Sequence, residues 1–419
     1  MRTRVTLGGR LRDGAGRLYE ALPQGVVDVL GLAHPLLALM TGVRLPVAIA
    51  GGRCAGTSDR ASVLVAGAGP GVDYFLHRFF DGPVELEPRG SVSVVELPGC
   101  LRRLRDGCDL TIARVDRISS RALFGPEYFR LPDWLGGFMR VPDDVDCYVR
   151  GIRGVANDMR RIHRNELCWH VSREPADFEC FYHTMYRPFA YRRHGVLAED
   201  RNVHQMRRVF RAGRLLWVTH RAKAISAILL MARGKVLQFV VLGTSQGSVD
   251  PIKLGGLAAL YLFSLRYAAE QKFTEIDFGG VRPCLTDGVL RNKQKWGVSL
   301  RPKRDVYHDF LVHWPRLTDS VTSFLWAHPL VCCSDGGIFG LTAPLQPSPD
   351  GSALARLRRR VWISGLRRVY VLGGREPAVA VPPELFCIPV GSTQDCDSAA
   401  VARAVAEDLR GGQQLYEEV

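Results

Sequence analysis

The chain has 419 residues, 47% of them hydrophobic and 23% charged; this is enough apolar side chain for a large core and excludes a chain disordered throughout. Lysine and arginine number 56 against 42 acidic residues, a formal net charge of +14, so the surface is either solvated and arginine-rich or built to meet phosphates. The 11 cysteines are scattered without a CxxC pair, and the adjacent Cys332 and Cys333 suit neither a mutual disulfide nor a zinc knuckle. Reduced thiols, no metal site and a cytoplasmic protein are therefore expected.

In chain order, residues 1–60 form a mixed, Gly-rich N-terminal segment. Its most apolar window, GVVDVLGLAHPLLALMTGV (25–43), is interrupted by Asp28, His34 and Pro35, so no membrane span is expected. Residues 61–145 alternate short apolar strands (SVLVAG, PVELEP, SVSVVELP, CDLTIARV) with loops, an α/β pattern. Within them VLVAGAGPGVDYFLHRFF (63–80) partly matches a dinucleotide fingerprint. Position 72 is Val where the third glycine belongs, so a tight turn is expected and a nucleotide-dependent oxidoreductase stays a minor reading. The segment 147–166 places Arg150, Arg153, Arg160, Arg161 and Arg164 mostly on one helical side, either a solvated face or an anion-binding one.

Residues 146–312 show the clearest organisation. LCWHVSRE reads as a strand, and PADFECFYHTMYRPFAYRRHG as a helix opened by Pro175 and closed by Gly195. RNVHQMRRVFRAG is a shorter helix. RLLWVTHR, KAISAILLMAR and KVLQFVVLGTS are three strands, with Gly234 and Lys235 in the turn between the last two. DPIKLGGLAALYLFSLRYAAEQ then predicts one long helix with Asp250 as N-cap, and FTEIDFGG a strand, so strand, helix and strand form a βαβ-like crossover. Residues 313–419 carry a basic helix (ALARLRRRVWISGLRR), a strand (RVYVLGG) and a last helix from Ser398, an extension with no assigned task.

At the start of the long helix, Lys253, Leu254, Gly255, Gly256, Leu257 and Ala258 offer either a cradle of free backbone amides for a diphosphate or merely small residues packing on the sheet. The order of elements around KLGGLA resembles the core of the GNAT acyltransferase superfamily, in which Gln/Arg-x-x-Gly-x-Gly/Ala at this place holds the diphosphate of coenzyme A. Lys253, Gly256 and Ala258 match, with Lys standing for Gln/Arg. The strand ending in Asp-Phe-Gly-Gly, followed by a polar loop and Lys-x-x-Trp-Gly, is similar to the FemAB branch. Lys293, Trp296 and Gly297 match its basic-aromatic signature, with Asn292 in place of the first aromatic.

The resemblance covers about 145–300 and extends to 62–142 as a second, degenerate half. It implies an α/β (α+β) fold of two tandem GNAT-like halves with a C-terminal extension. It implies an N-acyltransferase acting by direct attack of an amine on acyl-CoA, without a covalent intermediate or a metal. Consistent with that, no G-x-S-x-G or Cys/His nucleophile pattern occurs. Aminoacyl-tRNA is the alternative donor, and a non-catalytic module binding RNA or a partner is a third reading. The acceptor would be a small-molecule or peptide amine. By the same resemblance Lys293 stabilises charge on the reacting ester. Asp277 either orients the amine or caps the turn at 279–280. His194 is a candidate general base. Tyr182, Tyr186, Arg187 and Trp296 are candidates for the acceptor side, with Tyr182 equally suited to the core and Arg187 to solvent. Lys295 is a neighbour of uncertain task.

Overall fold

The computed structural model describes residues 44–195, 201–303, 306–343, 351–373, 381–389 and 396–414; the apolar window at 25–43 lies outside them. The chain divides into two compact units. The first holds Gly137–Gly279 and Lys295–Val298; the second holds the described residues up to Gly136, then Gly280–Gln294, then those from Ser299 on.

The first unit is built on a sheet in which β1 (Cys168–Ser172), β2 (Gly213–His220), β3 (Lys223–Arg233) and β4 (Val236–Thr244) are successive antiparallel neighbours. The fifth strand, β5 (Glu275–Val281), lies beside β4 and runs parallel to it. A two-residue connection suffices between β3 and β4, and Gly234 (φ 59°) supplies the left-handed turn conformation it needs. The parallel step requires a crossover, and the helix Gly256–Glu270 provides it. That helix is apolar nearly all round, so it is buried deeply; Ala259, Leu260, Tyr261, Phe263 and Leu265 pack against Leu237, Phe239, Ile276 and Phe278. The opposite face of the sheet is covered by the helices Pro175–Phe181, Arg187–His194 and Val203–Ala212 and the turn Tyr182–Tyr186, through Phe178, Phe181, Met185, Ala190, Met206 and Phe210.

Two expected helices differ from their sequence reading. The helix at 250–271 is broken: Asp250–Lys253 is a short helix of its own, and the Gly256 helix starts afresh after Gly255 in the left-handed region (φ 98°). Asp250 is thus the first helical residue and not a cap; its carboxylate accepts from Ser248 Oγ and lies 3.4 Å from Lys253 Nζ. The Gly255-Gly256 pair makes the break cheap, because glycine alone adopts that conformation without a Cβ penalty. The Pro175 helix does end at Gly195, but its middle turn, Tyr182–Tyr186, is widened to a π-helix. Gly243 of β4 lies directly against this turn: a Cβ there would sit 2.5 Å from the Met185 carbonyl carbon.

The second unit centres on a ten-stranded sheet. Its order is Leu385–Pro389, Val369–Gly373, Gly337–Thr342, Leu330–Ser334, Phe129–Pro132, His308–His313, Leu110–Asp116, Arg60–Ala66, Arg44–Arg53 and Glu85–Ser93. PVELEP and the start of SVSVVELP are one strand, Glu85–Ser93, and the following residues turn into the helix Leu97–Leu104, so those two expected strands are corrected to one. The GAGPG stretch is a turn, as expected, from the strand Arg60–Ala66 into the helix Pro70–Phe79, with Gly67 and Gly69 at positive φ. No described helix is long and apolar enough to cross a membrane.

Candidate functional site

The site in the first unit begins where β4 and β5 part. They pair over three positions only: Val236 with Glu275, Leu237 with Ile276, and Gln238 with Asp277. Immediately beyond, β4 bulges: its register against β3 slips between Phe239 and Val241, so Val240 is an extra residue in the ladder. A bulge bends its strand and frees backbone groups from pairing. The two strands accordingly form a fork whose base is the Gln238–Asp277 pair. Phe239 and Phe278 close the helix side of that base, with ring centroids 4.8 Å apart, and both pack on Tyr261.

The first unit has a GNAT-like fold. Antiparallel strands, then a crossover helix, then a strand parallel to the last of them is the order of elements on which the resemblance rests, and they are present in that order; the bulge was not read from the sequence. No family model matches the chain, and no curated protein does. Solved structures that resemble it include FemX, at 14% identity and TM-score 0.35 over 65% of this chain and 89% of that one. L-PGS from Bacillus licheniformis aligns at 11% identity and TM-score 0.32, covering 60% of this chain and 76% of that one. A GCN5-related N-acetyltransferase from Kribbella flavida aligns at 10% identity and TM-score 0.28, covering 76% of each chain. At such scores these likenesses say nothing about what this chain does.

Asp277 is buried, and its hydrogen bonds show the turn-capping arrangement: Oδ1 accepts from the Gly279 amide at 2.8 Å. Its Oδ2 accepts from Gln238 Nε2 at 3.3 Å. Gln238 was not among the residues singled out from the sequence; the one signal was a polar residue inside the apolar run VLQFVVLG.

At the other end of the crossover, the first three amides of the Gly256 helix, those of Gly256, Leu257 and Ala258, have no acceptor within their own helix. Gly255 and Gly256 are both buried. The helix Ala156–Arg164 lies against them, and a Cβ on Gly255 would stand 3.2 Å from Arg161 Cβ. Asn165 Nδ2 donates to the Leu254 carbonyl at 3.0 Å, and Ser226 Oγ to that of Gly256 at 3.1 Å. Lys253 is exposed and paired with Asp250. Arg150, Arg153, Arg160, Arg161 and Arg164 are all exposed, and Arg161 stands at this helix end; it lies 3.9 Å from Asp158, and Arg160 bonds Asn157.

Tyr182 and Tyr186 are buried in the π-turn. Their hydroxyls hold the backbone of Arg201: the first donates to its carbonyl at 2.8 Å, the second accepts from its amide at 3.3 Å. Arg187 lies 5.6 Å from the Tyr191 ring centroid. The side chain of His194 lies outside the described residues. Trp296 is fully buried in the core of the first unit, edge-on to Tyr261 with centroids 5.6 Å apart, and its carbonyl accepts from Tyr148 Oη at 3.0 Å. Lys295 is exposed.

Lys293 belongs to the second unit. It sits in the helix Gly288–Gln294, is buried, and donates from Nζ to the carbonyl of Gly280 at 2.9 Å. Asp287 starts that helix by accepting from the amides of Val289 and Leu290, and it also accepts from Tyr74 Oη at 3.0 Å. Burial pushes the Tyr74 hydroxyl pKa far up, so it stays a donor. Arg282, in the same loop, lies 3.8 Å over the Trp134 ring and pairs with Asp133 at 2.5 Å, while Arg114 takes the other Asp133 oxygen at 2.9 Å. This buried set holds the loop that carries Lys293. Nothing in the local sequence marks Asp133, Trp134 or Tyr74 as partners of this loop, because only the fold brings them there. Among the described residues no group of three or more His, Cys, Asp or Glu is placed to hold a metal ion.

Proposed function

We propose that this chain is an N-acyltransferase that moves an acyl group from acyl-CoA to an amine by direct attack. The single observation that supports it is the fork: two parallel strands that separate at a bulge, with a buried carboxylate at the base. In the reaction the amine nitrogen forms a bond to the acyl carbon and the carbon–sulfur bond breaks. The amine sheds one proton and the thiolate takes one up. Amides released from the ladder at the bulge are suited to the carbonyl oxygen as negative charge grows on it. Asp277 is within reach of an amine entering the fork. Lys293 carries the charge-stabilising task that the FemAB resemblance gives it, and the free amides of the Gly256 helix favour a diphosphate at that end.

A second reading, aminoacyl-tRNA as donor, is favoured by the exposed arginines of 150–164, of which Arg161 stands at the same helix end. Both donors would place phosphates there, but a polynucleotide would engage several arginines at once. Calorimetry of the full chain with acetyl-CoA and with an aminoacyl-tRNA tests this. Binding of acetyl-CoA in the micromolar range supports the first donor. Binding of the tRNA, with a log–log salt slope of about 0.7 to 0.9 per phosphate engaged, supports the second. If neither binds, the reading fails. On a turned-over substrate, Lys293→Ala should lower kcat by about a hundredfold or more; unchanged turnover removes Lys293 from the mechanism.

A further inference from the structure

Lys293 is held from two directions, and both lead to one group of stacked side chains inside the second unit. Its helix, Gly288–Gln294, has only seven residues, too few to stand by themselves. Asp287 caps it through Oδ1, and Oδ2 of the same carboxylate accepts from Tyr74 Oη at 3.0 Å. The Lys293 ammonium ends on the Gly280 carbonyl at 2.9 Å. Gly280 has no side chain, and the indole of Trp134 lies against its backbone: a Cβ there would stand 2.9 Å from Trp134 Cε3. Arg282 is shared by the two aromatics, its Cζ 3.8 Å from the Trp134 ring centroid and 5.6 Å from that of Tyr74. Asp133 pairs with Arg282 at 2.5 Å and ties it to Arg114. Tyr74, Asp133, Arg282 and Asp287 are all buried.

We infer that Tyr74 and Trp134, joined through Arg282, are positioning residues for Lys293: one fixes the helix that carries it, the other the carbonyl that receives its ammonium. The inference rests on the charge-stabilising task proposed for Lys293 and adds how that charge is kept in place. A lysine is a point charge on a flexible four-carbon stem, with donors that turn freely. Confining it costs side-chain entropy, so its helix and its anchor must both be rigid for the ammonium to stand at one spot. A cation fixed beforehand meets growing negative charge without reorganising at the moment of reaction. The stack suits that purpose, because a planar guanidinium against two rings leaves less rotamer freedom than aliphatic packing. Neither aromatic needs to touch a substrate: Tyr74 acts through Asp287, and Trp134 through Gly280.

The test is trace acetylation of the full chain with acetic anhydride, scored by tandem mass spectrometry at Lys293 and at the exposed Lys295, which serves as the reference. In the wild type Lys293 is expected to react about tenfold more slowly than Lys295. Tyr74→Phe, which removes only the hydroxyl on Asp287, and Trp134→Leu should each raise the Lys293 rate about threefold or more with Lys295 unchanged. Trp134→Phe, which keeps an aromatic face over Gly280, should retain the protection. On the substrate of the Lys293→Ala comparison, Tyr74→Phe should lower kcat about tenfold and leave KM unchanged. Lys293 as reactive as Lys295 in the wild type, no change in Tyr74→Phe, a rise matched at Lys295, Trp134→Phe as reactive as Trp134→Leu, or an effect on KM alone each overturns the inference. Should Trp134→Leu fail to fold, Tyr74→Phe decides it alone. Acetylation uses neither donor nor acceptor, so failure here is distinguishable from failure to bind acetyl-CoA or tRNA, which bears on the acyl-transfer reading itself.

Discussion

The run Arg291 to Gly297 shows how little a short motif says about the tasks of its members. Lys293 and Trp296 are three residues apart in sequence, yet they belong to different units. The lysine is buried with its ammonium on a backbone carbonyl, whereas the tryptophan fills the core beside Tyr261. Gly297 is fixed for a packing reason, since at φ 80° a Cβ there would collide with the Tyr148 hydroxyl. Trp296→Ala is therefore expected to act on stability, lowering it by about 3–5 kcal/mol in urea unfolding, as for other buried large-to-small changes. A Trp296→Ala chain that unfolds with the wild-type midpoint would show that the indole is not the packing element described. Asp277 was open to two readings from the sequence, and the bond to the Gly279 amide establishes the turn-capping one; the amine-orienting one rests on the fork.

At the scale of elements, the fork depends on glycines that admit backbone rather than ligand. Gly243 allows the π-turn of the Tyr182 region to touch β4, and Gly247 does the same for the backbone at Pro188, where a Cβ would stand 2.6 Å from the carbonyl. Gly243→Ala should cost about 1–3 kcal/mol, the usual range for overpacking, and should shift the bulged half of β4. Urea midpoints measure the first. A crystal structure of the variant with the π-turn unmoved would contradict the second. Gly255→Ala meets a different obstacle, its positive φ, and is expected to lose about 1–2 kcal/mol with reduced affinity for a phosphate-bearing donor. The broken helix was not evident from sequence because its apolar residues run continuously through the break; only the Gly-Gly pair hinted at it.

For the molecule as a whole, two histidines, His313 buried and His328 half-buried, link stability to pH. Burial lowers the pKa of both His313 and His328 from 6.5 to about 4, helped by the nearby cations Arg105 for the first and Arg78 and Arg360 for the second. Between those values the unfolded chain binds protons that the folded chain does not. Stability is thus full above pH 6.5 and falls as the pH drops toward 4, by about 1.4 kcal/mol per pH unit for each imidazole. Urea midpoints at pH 7.0, 5.5 and 4.5 should fall in that order, and His313→Gln should flatten the trend; a variant as acid-sensitive as the wild type would contradict the assignment.

The second unit is also where local reading reached least far. The strands of 330–334, 337–342, 369–373 and 385–389 extend the same sheet as 44–53 and 60–66, and nothing in the local pattern of either end announces the other. By itself the sequence determined the alternating strands of 213–244, the apolar body of the crossover helix and the glycine turns at 195 and 234, though not the cap expected at Asp250, because periodicity and turn chemistry act over a few residues. Only the tertiary structure decided that β4 and β5 separate after three pairs, that Gln238 meets Asp277 at the parting, and that Trp296 is core. Those outcomes depend on pairing register and packing between residues far apart in the chain, for which no local pattern carries the information.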